Sequence, residues 1–112
     1  MGVYAPSLGS TSLLKMKVTP PVALAPGHFN VQLSVETDED NRMLEVSVES
    51  SDFYRSSRIQ LNGSSAPRLN VVQFGNLPAG DYEVSGILVG TRGPRATVSL
   101  AARVAPGVGS PR

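Results

Sequence analysis

Apolar and polar residues alternate along most of the chain, which is the pattern of β-strands that bury one face. The clearest example is residues 29–36, where Phe29, Val31, Leu33 and Val35 are separated by polar residues. The alternation predicts seven strands, at residues 14–18, 29–35, 44–48, 59–61, 69–74, 82–88 and 98–104. Gly and Pro make up 11 and 9 of the 112 residues and supply turns between them. No segment repeats its apolar residues with the period of a helix, so we predict an all-β protein.

Two stretches between these strands interrupt the alternation. Pro20 and Pro21 end the first strand, because proline cannot donate a hydrogen bond to a neighbouring strand. Residues 22–24 can then resume pairing at a sheet edge. Residues 50–57 show no alternation, and we expect them to be irregular, with Phe53 and Tyr54 folded over an edge of the sheet.

A corner rich in Pro and Gly precedes the sixth predicted strand. It contains Leu77, Pro78 and Gly80, and it delivers Tyr82 to the start of the strand. A tyrosine in this position can bury its ring and return its hydroxyl to the backbone of the corner. We therefore expect these four residues to be a structural anchor.

The segment from Leu77 to Val84 resembles the penultimate-strand signature of bacterial immunoglobulin-like, fibronectin type III-like and carboxypeptidase-regulatory-like modules. With its neighbours, the resemblance covers roughly residues 14–105. It implies a seven-stranded Greek-key immunoglobulin-like β-sandwich. We accordingly predict a sandwich over residues 13–105, a flexible N-terminal arm over residues 1–12 and a flexible C-terminal tail over residues 106–112.

The composition excludes several kinds of active site. The chain has no Cys and a single His, His28, so it can form neither a thiolate metal site nor a zinc site headed by two histidines. A catalytic triad built on His28 is not expected either, because no serine lies in a G-x-S-x-G motif. No apolar run approaches the roughly 20 residues that span a bilayer. We therefore expect no cofactor, no membrane span and no enzymatic activity.

An acidic loop follows the second predicted strand. Glu36, Asp38 and Asp40, with Asp52 nearby, offer the oxygen ligands that Ca²⁺ prefers, although their spacing does not match an EF-hand. The alternative is a solvated acidic loop that keeps the end of a strand soluble. We expect no metal here, and Asp38 and Asp40 are the candidate ligands if one binds.

Charges are segregated along the chain although the net charge is only +1. Residues 1–35 carry +2, residues 36–83 carry −5 and residues 84–112 carry +4. The predicted partner-binding residues lie in the two basic blocks and are Lys15, Lys17, Arg92, Arg95 and Arg103. They form a basic strip if the first and last strands are neighbours, and the alternative is that they protect sheet edges against unwanted pairing. Steering towards nucleic acid is not expected at this net charge.

These observations favour a non-enzymatic structural or protein-interaction module within a larger assembly or surface protein. Its partner would be another protein or a second copy, which would make a homo-oligomer. The alternative is an accessory carbohydrate- or Ca²⁺-binding module of a bacterial enzyme, although the chain has no Trp to form a sugar platform. The residues leave the compartment undecided, and the resemblance favours an extracytoplasmic location or an assembled particle.

Overall fold

The computed structural model describes residues 13–107, which form eight β-strands. The strands are β1 (Leu14–Thr19), β2 (Val22–Leu24), β3 (Gly27–Val35), β4 (Met43–Glu49), β5 (Tyr54–Gln60), β6 (Leu69–Leu77), β7 (Gly80–Gly90) and β8 (Gly93–Ala105). One 3₁₀ turn, Gly63–Ser65, lies between β5 and β6. Within this part of the chain no helix is long and apolar enough to cross a membrane. The predicted arm, and the predicted tail beyond residue 107, lie outside the described residues.

The strands form two sheets. One is antiparallel and has the order β1-β3-β6. The other has the order β2-β8-β7-β4-β5 and is antiparallel except for the parallel pair β2–β8. The prediction of an all-β protein with two sheets is therefore confirmed.

The predicted number of strands was wrong. Residues 22–24 form a separate strand, β2, at the edge of the five-stranded sheet. The strand predicted at residues 59–61 is also longer, because β5 begins at Tyr54 in the stretch expected to be irregular. The first three residues of β5 are exposed, so no buried face imposes an alternation on them.

The core lies between the two sheets and consists of the residues at alternating, inward-facing positions. The residues with no exposed surface include Leu14, Phe29, Val31, Leu33, Leu44, Leu77 and Leu88. The layers approach each other closely at two glycines. A methyl group at Gly27 would lie 2.6 Å from a methyl of Val104, and one at Gly86 would lie 2.9 Å from a methyl of Leu33. These contacts leave no room for a side chain between the sheets at either position.

Strand β6 has apolar residues on both faces. Val72 and Phe74 point into the core, whereas Leu69 and Val71 point to solvent and are 56% and 49% exposed. Periodicity alone cannot tell which face of β6 is buried, because the apolar residues on both faces repeat with the same period. The sheet that β6 joins therefore presents an outer surface with two exposed apolar side chains.

The corner before β7 holds Tyr82 against the core. Tyr82 is only 3% exposed, and its ring makes T-shaped contacts with Phe29 and Phe53 at centroid distances of 6.0 and 6.3 Å. The hydroxyl donates a hydrogen bond to the carbonyl oxygen of Pro78. Burial raises the pKa of Tyr82 above its ordinary value, and Ser50 and Arg55 oppose that shift. Of the other predicted anchor residues, Leu77 is fully buried.

Candidate binding surface

The outward-facing residues of the three-stranded sheet form a surface with basic and apolar side chains, which we call the basic face. Its strands β1, β3 and β6 contain no Asp or Glu. The register places two rows of residues side by side, Lys15-Ser34-Leu69 and Lys17-Gln32-Val71. The two lysines are exposed, and neither belongs to any of the ion pairs found among residues 13–107. Their charges are therefore available to a partner.

A shallow depression of about 340 Å³ lies at one end of the basic face. Its lining consists of Lys15, Ser34, Val35, Glu36, Arg68 and Leu69. Arg68, like Lys15, forms no ion pair with a described residue. Glu36, which follows β3 directly, is the one acidic residue of the lining. The depression thus combines two cations, a hydroxyl and an apolar wall.

The outward-facing residues of the five-stranded sheet form a surface of the opposite sign, which we call the acidic face. Across β5, β4, β7 and β8 the register produces the rows Tyr54-Glu49-Glu83-Ala101, Ser56-Ser47-Ser85-Ser99 and Arg58-Glu45-Ile87-Thr97. Two of its acids are neutralised within the chain, Glu45 by Arg58 at 3.7 Å and Asp81 by Arg103 at 3.3 Å.

Glu49 and Glu83 are the acids of this face that have no cation. They are register partners on β4 and β7, both are exposed, and neither forms an ion pair with a described residue. Like charges directly opposite each other on neighbouring strands are destabilising. A cation placed between the two carboxylates from outside would relieve that repulsion.

The five residues predicted to form one basic strip lie on different parts of the fold. Lys15 and Lys17 lie on the three-stranded sheet, whereas Arg95 and Arg103 lie on β8 of the other sheet. Arg103 pairs with Asp81, and Arg95 pairs with the acidic loop. Arg92 is exposed at the tip of the β7–β8 hairpin. The structure thus places Lys15 and Lys17 on one sheet and Arg95 and Arg103 on the other, and partner binding by these residues stays a prediction.

The acidic loop between β3 and β4 forms hydrogen bonds and ion pairs with the β7–β8 hairpin. Asp40 Oδ1 accepts hydrogen bonds from the Thr91 amide at 3.1 Å and the Thr91 hydroxyl at 2.6 Å. These bonds, with smaller contributions from Arg95 and Arg42, hold the pKa of Asp40 below its usual value. Arg95 approaches Asp38 Oδ2 at 3.3 Å and Asp40 Oδ2 at 3.6 Å. Both carboxylates that were candidate metal ligands are therefore already engaged.

Asn41 links the acidic loop to Arg95 of β8. It is 1% exposed, its amide donates to the carbonyl oxygen of Glu36 at 2.9 Å, and its Oδ1 accepts a hydrogen bond from Arg95. Among residues 13–107 no group of three or more His, Cys, Asp or Glu side chains is placed to share a metal ion. That the loop binds no calcium stays a prediction.

Lys15 and Lys17 of the basic face were predicted as site residues, whereas five other residues of the two faces were not. Tyr54, Glu49 and Glu83 lie on three different strands, and nothing in their local sequence marks them as neighbours. Leu69 and Val71 carried a weak signal, since β6 has more apolar residues than one buried face needs.

No protein-family model matches the chain, and no curated protein sequence is similar to it. Solved structures do resemble it. The superoxide reductase (neelaredoxin) from Ignicoccus hospitalis is 13% identical, with a TM-score of 0.60 over 84% of this chain and 80% of that one. The likeness is one of fold. A variant of the same enzyme is 12% identical with a TM-score of 0.60, covering 93% of this chain and 94% of that one.

A second kind of enzyme contains a similar region. A family 76 glycoside hydrolase from a bovine Bacteroides thetaiotaomicron strain is 16% identical, with a TM-score of 0.57 over 81% of this chain. This chain spans 20% of that protein's length. The likeness is therefore to one region of a longer enzyme.

These comparisons correct the predicted family and function. The resemblance to immunoglobulin-like and fibronectin type III-like modules was wrong, since the structural neighbours are superoxide reductases. A tyrosine corner is a local device and does not determine the order of strands, so it did not identify the fold family. The prediction of a structural or interaction module, or of an accessory module, rested on that resemblance and is contradicted by the same finding. The fold is one that enzymes use.

The donor atoms of this chain do not fit a redox metal centre. Reactions of superoxide are one-electron reactions, which proteins run with haem, flavin, copper or non-haem iron. Imidazole and thiolate ligands suit copper and iron, and a non-haem iron site made of two histidines and a carboxylate needs a second imidazole, but the whole chain contains one His and no Cys. His28 is exposed on β3, and its ring nitrogen lies 3.4 Å from Asn30 Oδ1. We therefore derive no redox step for this protein.

Proposed function

We propose that this protein binds a second copy of itself, and that the basic face of one copy lies on the acidic face of the next. The observation that carries the proposal is the pair of unneutralised charges on each face: Lys15 and Lys17 on one, Glu49 and Glu83 on the other. Each face keeps the charges that the other needs, because every further acid of the acidic face already has an arginine in the same chain.

The spacing of the two pairs is compatible with direct ion pairing. Lys15 and Lys17 are two residues apart on β1, so their side chains leave the sheet roughly 6.7 Å apart. Glu49 and Glu83 are cross-strand neighbours, with Cβ atoms about 4.5–5.5 Å apart. Flexible lysine side chains easily span the difference, so each ammonium group can reach one carboxylate.

The expected association is weak. Three strands spaced about 4.8 Å apart over roughly nine residues form a face of roughly 400 Å², whereas a standard interface buries about 800 Å² per partner. Each exposed ion pair adds only about 0–1 kcal/mol. The contact therefore requires high protein concentration and low salt.

The contact is also open-ended. The two faces belong to different sheets and point away from the shared core, so binding through one face leaves the other face free. A head-to-tail contact of this kind continues from copy to copy unless the rotation closes a ring. The average mass should consequently rise with concentration beyond that of a dimer.

The proposal concerns only what this protein binds. Its support is the distribution of unpaired charge on the two faces.

The test is the average mass by light scattering over a concentration series at about 0.02 M and 0.5 M NaCl. We expect the mass of the wild type to grow with concentration at low salt and to stay near one copy at high salt, because the screening length falls with ionic strength. Lys17→Glu should suppress the growth. The matched control is Arg92→Glu, which makes the same change in charge at the hairpin tip, and it should associate like the wild type.

A charge-exchanged variant separates specific pairing from general repulsion. Lys15→Glu with Lys17→Glu should abolish association, and adding Glu49→Lys with Glu83→Lys to the same chain should restore it. A wild type that remains strictly monomeric at high concentration and low salt overturns the proposal. So does equal loss of association in Lys17→Glu and Arg92→Glu.

A further inference from the structure

We infer that Tyr54 is the anchor residue of this contact and that its ring enters the depression lined by Lys15, Arg68 and Leu69 on the neighbouring copy. The inference rests on the proposed self-association, and it names the side chain and the receiving site.

Tyr54 is the exposed aromatic residue of the described chain. Phe29, Phe74 and Tyr82 are buried in the core, and Phe53 is half-buried against it. Tyr54 is 58% exposed, and its side chain forms no hydrogen bond or ring contact with a described residue. Tyrosine is enriched among the residues that contribute most to the binding energy of protein–protein contacts.

The position of Tyr54 places it beside the unpaired acids. It is the first residue of the edge strand β5 and the register partner of Glu49, which in turn pairs with Glu83. An aromatic ring and two carboxylates thus form one row at the border of the acidic face. The ring stands at the open edge of the sheet, where no further strand covers it.

The depression on the basic face has the complementary chemistry. Leu69 and the aliphatic part of Lys15 offer an apolar wall, and the cationic groups of Lys15 and Arg68 can lie against the face of an aromatic ring. Ser34 and Glu36 supply hydrogen-bond acceptors for a phenol hydroxyl. With the ring seated there, Glu49 beside it faces the same two cations.

The size of the depression favours one side chain over a larger ligand. Its volume of about 340 Å³ is at the lower end of the range of roughly 300–1,000 Å³ for small-molecule pockets. The charges favour a second copy as its source, because this chain presents an exposed ring flanked by unpaired acids and a depression flanked by unpaired cations. A single contact between two copies would place the ring in the depression and the acids beside the cations.

The first experiment compares truncations on the two sides of the contact by sedimentation velocity at low salt. We expect Tyr54→Ala to weaken association at least tenfold and Tyr54→Phe to keep most of it, since the ring provides most of the contact area. Leu69→Ala should weaken it severalfold. The matched control is Leu24→Ala, which removes an equally exposed leucine (59% against 56%) from β2, and it should change association less than twofold.

A double-mutant cycle tests whether the ring meets this depression. If Tyr54 contacts Leu69 of the neighbouring copy, the combined variant should lose less than the product of the two single losses. Strict additivity would show that the two residues act separately and would overturn the inference. All positions are on the surface, and unchanged melting temperatures will show that the variants are folded.

The outcomes also separate this inference from the proposed function. If Lys17→Glu abolishes association while Tyr54→Ala changes it less than twofold, the faces meet without the anchor and the inference is wrong while self-association stands. If the wild type does not associate at all, the proposed function fails first.

Discussion

The hydroxyl of Tyr82 lies 2.6 Å from the carbonyl oxygen of Pro78, four residues earlier in the chain. This bond closes the corner between β6 and β7 while the ring of Tyr82 fills the core beside Phe29 and Phe53. The hydroxyl and the ring therefore contribute to stability in separate ways, which two substitutions can distinguish.

We expect Tyr82→Phe to lower the free energy of unfolding by about 1 kcal/mol, because the part-buried hydrogen bond to the Pro78 carbonyl is lost. Tyr82→Ala should lower it by about 3–5 kcal/mol, because it also leaves a cavity in the core. Urea denaturation measures both. Equal stability of the wild type and Tyr82→Phe would show that the bond to Pro78 contributes nothing.

The link between Asp40 and Thr91 should make stability depend on acid pH. The pKa of Asp40 in the folded chain lies below its usual value of 3.8, chiefly because Thr91 donates two hydrogen bonds to the carboxylate. A lowered pKa favours the charged form in the folded state, so this contribution is complete above about pH 5 and is lost as the pH falls through the folded pKa.

Asp40→Asn removes that titration while it keeps the shape of the side chain. The wild type should be more stable than Asp40→Asn at pH 7, and the difference should shrink as the pH is lowered below 4. Glu39→Gln is the control, since the exposed Glu39 side chain forms no hydrogen bond or ion pair with a described residue. A difference between wild type and Asp40→Asn that is the same at pH 7 and pH 3 would contradict this account.

Calcium should have no specific effect on stability. The Asp38 and Asp40 carboxylates are held by Arg95 and Thr91, so a cation would have to displace those partners. We expect millimolar Ca²⁺ to shift the melting temperature no more than Mg²⁺ does. A clear rise with Ca²⁺ alone that disappears in Asp38→Asn with Asp40→Asn would establish a calcium site, because a ligand of the native state raises its melting temperature.

The close approach of β3 to β8 should make Gly27 intolerant of any side chain. A methyl group there would lie 2.6 and 2.8 Å from the two methyl groups of Val104, which is shorter than van der Waals contact. We expect Gly27→Ala to lower the free energy of unfolding by about 1–3 kcal/mol, the range for an overpacked core. Gly75→Ala is the matched control on edge strand β6, where the nearest atom would be 3.4 Å away. Equal effects of the two substitutions in urea denaturation would contradict a steric cause.

The sequence alone predicted the features that depend on residues close to one another in the chain. Alternation identified the buried faces of β3, β4 and β7, because successive side chains of a strand point to opposite faces. The corner before Tyr82 could be predicted from the sequence because its hydrogen bond joins residues only four positions apart. The lack of Cys and of a second His likewise argued, without any structure, against a thiolate metal site and a zinc site headed by two histidines.

The tertiary structure decided everything that depends on strand order. Arg95 meets Asp38 across 57 residues of sequence, and Glu49 meets Glu83 because β4 pairs with β7. Lys15 and Arg103 lie on different sheets although their strands were expected to be neighbours. The sequence could not reveal these relationships, because alternation determines which face a residue occupies but not which strand lies beside it. Strand order follows from packing the two sheets around one core, and that packing decided which charged side chains form ion pairs among the described residues and which do not.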